Sequence, residues 1–117
     1  MGAWGAGNFE NDAALDAVEH VLEAAISEIA AFSESERCGV EDLEAVMAYV
    51  AIHLTLHEHC SASAPDASLA EALHTKVLNL YDERIDSLQP EAGYPVARRG
   101  ILVETLQKYR QAAGTGA

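Results

Sequence analysis

Between Met47 and Leu56 the chain runs Met-Ala-Tyr-Val-Ala-Ile-His-Leu-Thr-Leu without a single Asp, Glu, Lys or Arg. Wound at 3.6 residues per turn, this stretch sends apolar side chains out on every side, so it must be packed on several faces at once. It is too short to cross a bilayer, which takes about 20 apolar residues. A solitary helix cannot satisfy it. The rest of the chain has to supply the neighbours.

The remaining residues offer them. Punctuation at Ser33–Gly39, Ser61–Asp66 and Gln89–Pro95 leaves four segments of helical length, and neither alternating Val/Ile/Thr runs nor an Asn-Gly hairpin signals a strand. The first helix is expected from Asp12 to Phe32, with Asn11 as N-cap and Asp12 and Asp16 in its early turns. Leu15, Val18, Leu22, Ala25, Ile26, Ile29 and Phe32 form one apolar stripe, while Asp16, Glu19, His20, Glu23 and Ser27 face away. The second helix is expected over Val40–His59, capped at Gly39 or Cys38. The third is expected over Leu69–Leu88, opened by a Ser68–Glu71 capping box. A fourth begins near Val96 and uses Leu102, Val103, Leu106 and Tyr109. Short connections favour antiparallel neighbours, so the pattern predicts an all-α, four-helix antiparallel bundle, up-down-up-down or a distorted version of it. It is read as one helical domain over residues 1–113 with a flexible tail at 114–117.

The N-terminus is the most specific stretch. In Met1-Gly-Ala-Trp-Gly-Ala-Gly-Asn-Phe-Glu-Asn-Asp12, three glycines separate two large aromatics ahead of a helix. Glycine permits sharp turns and close approach, and Trp and Phe carry much apolar area. The segment is therefore expected to close one end of the bundle through Trp4 and Phe9. Trp4, Gly5, Gly7, Phe9, Asn11 and Asp12 match, position by position, a W-G-x-G-x-F-x-[ND]-D signature, and the chain resembles in this the bacterial family called domain of unknown function 4259. Asn8 departs from the Pro frequent in that family. The match covers about the first sixteen residues; beyond them the likeness is one of helical content and length. The resemblance implies membership and no activity.

Charge is unevenly distributed. Residues 1–75 hold fourteen acids against one base, Arg37, a net −13, while residues 76–117 hold six bases and five acids, a net +1. So few bases argue against nucleic-acid binding, which needs Lys and Arg on phosphates. The acidic surface of Asp16, Glu19 and Glu23 reads either as solvation with charge matching between helices, or as a face for a basic protein partner. Neither a leader pattern nor a membrane span is evident, and the chain reads as cytoplasmic. Cys38 and Cys60, about 33 Å apart along a helix, should not pair.

Catalytic constellations are incomplete. Gly5-Ala-Gly7 lacks the Lys or Ser/Thr of a phosphate loop, and Glu10 and Asp12 give its surroundings the wrong sign. His53 and His57, at i and i+4, stand on one helix face and could grip a divalent transition metal such as Zn, with Glu58 or Cys60 adding a ligand and His20 or His74 arriving from elsewhere. The same spacing suits core-edge histidines bonded to a carbonyl or carboxylate. No cofactor is called for by the first reading of function, a non-enzymatic protein–protein interaction module. The alternative is a metal- or small-ligand-binding protein at the His53/His57 end. The apolar second helix also fits the seam of a homo-oligomer.

Overall fold

The computed structural model describes Ala3, residues 5–85 and residues 93–114. Four helices carry the chain: α1 (Asp12–Glu34), α2 (Val40–His59), α3 (Ala67–Arg84) and α4 (Tyr94–Ala112). Each start has a chemical reason. The Asn11 side chain accepts the Ala14 N–H at 2.8 Å, and Asp42 Oδ2 reaches back to the Gly39 N–H at 2.8 Å. The third start corrects the expected one: Asp66, two residues before Ser68, is the N-cap and accepts the Leu69 N–H at 2.9 Å. Its charged carboxylate outcompetes a hydroxyl for the positive helix end. The α4 start is also earlier than Val96. Gly93, at φ 88°, takes the cap, and Pro95 lies inside the first turn, where its missing N–H would have found no helical acceptor. Leu88, expected on the third helix, lies outside the described residues.

Four contacts, two for each pair of helices, fix the topology. Glu44 on α2 meets Arg98 on α4, and further along both helices His53 meets Tyr109. α2 and α4 therefore run in one direction. α1 and α3 likewise run together, since Glu19 meets Ser63 just ahead of α3 and Phe32 meets Lys76 within it. The result is an up-down-up-down bundle. α2 packs against all three other helices, as its uncharged middle requires, whereas α1 and α4 meet only marginally among the described residues.

The main core joins Ile29 and Phe32 of α1, Leu43, Val46, Met47, Val50 and Leu54 of α2, Leu73, Val77 and Tyr81 of α3, and Leu102, Leu106 and Tyr109 of α4. A second, smaller cluster holds Val18, Leu22 and Ala62, with Ile26, Leu56 and Cys60 against it. Cys38 and Cys60 are both free thiols.

The N-terminal segment folds back on itself. Ala3 and Asn11 form an isolated antiparallel bridge, and the Glu10 N–H returns to the Gly7 carbonyl at 3.2 Å. The Glu10 side chain lies over Gly5 and Gly7, where a Cβ on Gly5 would fall 1.5 Å from Oε2. Here the glycines make room for a carboxylate. The expected burial of Phe9 is corrected: the residue stays 44% exposed. The first buried residue of α1 is Val18, so the turns that follow the loop offer no core to receive it. Trp4 lies outside the described residues.

Candidate functional site

The chemistry-bearing residues singled out on α2 lie where the α2–α3 loop crosses back over the helix. Ser61 takes a left-handed conformation, φ 61°. The chain then doubles over, so that the Ala62 N–H reaches the Leu56 carbonyl at 3.1 Å. This reversal delivers two loop carbonyls to the two histidines.

His53 is fully buried, at 0% exposure. Its Nε2 lies 2.9 Å from the Ser63 carbonyl and its Nδ1 2.7 Å from the Tyr109 hydroxyl. A carbonyl can only accept, so Nε2 carries the proton and donates. Nδ1 of the neutral ring then accepts the Tyr109 O–H. Burial, the largest cause, pushes the His53 pKa below its ordinary value of 6.5, with neighbouring His57 adding to the shift. Burial also raises the Tyr109 hydroxyl, which keeps it a donor. The rings meet edge-on, with centroids 5.2 Å apart at 77°.

The network continues outward. Ser63 donates both its N–H, at 2.8 Å, and its hydroxyl, at 2.7 Å, to Glu19 Oε1 on α1. Glu19, expected on the solvent face, is thus half-buried and engaged. Tyr109, His53, Ser63 and Glu19 form one continuous chain through α4, α2, the loop and α1. It ties four parts of the fold together and leaves none of its buried polar atoms unanswered.

This arrangement does not assemble a metal site. Both His53 ring nitrogens are occupied, and His57 Nδ1 donates to the Ala62 carbonyl at 2.8 Å. Glu58 is exposed and pairs with His59 at 3.8 Å, while Cys60 packs on the small apolar cluster. Among the described residues no group of three or more His, Cys, Asp or Glu side chains is placed to hold a metal ion. The i, i+4 spacing is real, but the loop carbonyls claim the imidazoles. Tyr109 and Ser63 were missed because they lie 56 and 10 residues from His53, beyond any local pattern.

Five basic residues of the back half are engaged within the fold. Arg98 pairs with Glu44 at 2.7 Å, Arg99 with Asp82 at 2.9 Å and Arg110 with Glu71 at 2.9 Å. The Arg98 and Arg99 pairs match charge between helices. Lys108 pairs with Glu104 along α4 at 3.3 Å. Lys76 Nζ donates to the carbonyls of Phe32, Ser33 and Ser35, closing the C-terminal end of α1. Asp16 and Glu23 remain exposed on α1 with Glu34, one stripe at helical spacing.

No described helix is long and apolar enough to cross a membrane. A family model described as "Domain of unknown function (DUF4259)" matches residues 2–107, a span that takes in the N-terminal motif and most of all four helices. Neither curated proteins nor solved structures give a match.

Proposed function

The chain belongs to the DUF4259 family of domains of unknown function, and we propose that it works as a non-enzymatic docking module whose α1 face receives a basic segment of another protein. One observation carries this reading. Arg98, Arg99 and Arg110 are paired across helices and Lys76 closes the end of α1, while Asp16, Glu23 and Glu34 stand exposed without an ion-pair partner among the described residues. The acidity of the front half is therefore uncompensated on α1. Tyr109, His53, Ser63 and Glu19 are bonded to one another within the fold. Exposed like charges aligned on a helix attract a complementary basic partner from a distance and set its association rate.

The test is a comparison of the native chain with Asp16→Lys/Glu23→Lys/Glu34→Lys. Proteins retained from a host extract at low salt should be basic, should be released as salt shortens the screening length to ~8 Å and below, and should be absent from the reversed variant. Retention indifferent to both salt and reversal would remove the acidic face as the working surface.

A further inference from the structure

A cavity of about 230 Å³ opens between the last turns of α1 and the first half of α2, away from the histidine network. Phe32, Val46 and Tyr49 give it an apolar wall, and Glu28, Arg37 and Asp42 stand around it. Arg37 is unusual in this molecule. It is the sole Lys or Arg before Lys76 and lies in sequence among Glu34, Glu36, Glu41 and Asp42. Yet among the described residues its guanidinium has neither an ion pair nor a hydrogen bond, whereas Arg98, Arg99 and Arg110 are all tied to carboxylates. Asp42 Oδ2 accepts the Gly39 N–H at 2.8 Å, which orients the carboxylate and leaves Oδ1 for another donor.

These groups define what could enter. A simple anion would meet Glu28 and Asp42 in a chain of net charge −12. A simple cation would leave Arg37 unanswered. A molecule carrying both charges satisfies both, and drug-sized ligands occupy about 300–1,000 Å³, so this space suits something smaller. We propose that the cavity binds a small zwitterion of the free amino-acid type. Its carboxylate takes the Arg37 fork, its ammonium sits between Glu28 and Asp42, and its side chain lies on Phe32, Val46 and Tyr49.

The experiment is a titration of the full ¹⁵N-labelled chain with L-leucine and with L-phenylalanine, beside N-acetyl-leucine and leucinamide, which each lack one charge. Saturable shifts at residues 28–49 with a free amino acid are expected, weakened about tenfold or more for either analogue and for Arg37→Gln. Ala45→Phe places bulk on the wall at an exposed position, so the fold should persist while the shifts vanish. The proposal is overturned if neither amino acid gives a saturable shift, if a single-charge analogue binds equally well, or if binding survives Arg37→Gln or Ala45→Phe.

Discussion

The Tyr109 hydroxyl donates to His53 Nδ1 at 2.7 Å although the two residues are 56 positions apart, and both are completely buried. Tyr109→Phe keeps the ring and strands a buried acceptor, so it should cost about 1–3 kcal/mol in urea unfolding. His53→Leu should cost at least as much, since it strands both the Tyr109 hydroxyl and the Ser63 carbonyl. The double variant should lose less than the sum of the two, by about 0.5 kcal/mol or more. Strict additivity would mean that the pair is not energetically coupled.

Acid should weaken the fold before its carboxylates titrate. The folded His53 has a pKa below its unfolded value of 6.5, so the unfolded chain takes up that proton first. The contribution is complete above about pH 6.5 and is lost as pH falls through the folded value. Asp82, held down chiefly by its hydrogen bonds from Arg99, acts in a lower window, below its ordinary 3.8. Unfolding free energies at pH 7.5 and 5 should therefore differ more in the native chain than in the His53→Leu/Tyr109→Phe variant. Equal slopes would contradict the assignment.

Lys76 should matter more than a surface lysine does. Its ammonium is shared among three carbonyls at the end of α1 and lies 4.8 Å from the centre of the Phe32 ring. Lys76→Met keeps most of the apolar stem and removes the charge. A loss of about 1–3 kcal/mol is expected, against within about 0.5 kcal/mol for Lys108→Met on the exposed side of α4. Thermal melts of the two variants side by side decide it.

Ser61 is the non-glycine residue with positive φ among those described. Ser61→Gly should be neutral or raise stability by up to about 1 kcal/mol, whereas Ser61→Val should cost about 1–2 kcal/mol. Because the turn delivers the Ala62 and Ser63 carbonyls, the Val variant should also disturb the His53 and His57 ring resonances. A Val variant as stable as the native chain would show that the turn adapts freely.

The parts of the fold legible beforehand were those with local causes. The uncharged middle of α2 demanded neighbours on several sides, and Asn11 marked the start of α1. Where two local signals competed, the choice was less secure: Ser68–Glu71 looked like a capping box, but Asp66 supplied the stronger acceptor. The histidine site was half legible. Helical spacing put His53 and His57 on one face, yet their partners come from a loop reversal and from α4. The periodicity that placed Glu19 on the solvent side could not register a loop folding over it. Phe9 failed because apolar area alone does not say whether a wall stands nearby.

The separation of Val18, Leu22 and Ala62 from the main core bears on how the molecule opens. The outer half of α1 rests on three buried residues and on the two hydrogen bonds from Ser63 to Glu19, while its inner half is rooted through Ile29 and Phe32. Such a helix need not unfold as one piece. Amide hydrogens over residues 12–24 should exchange through a partial opening that the main core survives, well before those of residues 25–34. In that opened form the stretch of α1 that carries Asp16 and Glu23 would swing free of the loop, while Glu34 stays on the half held by Ile29 and Phe32.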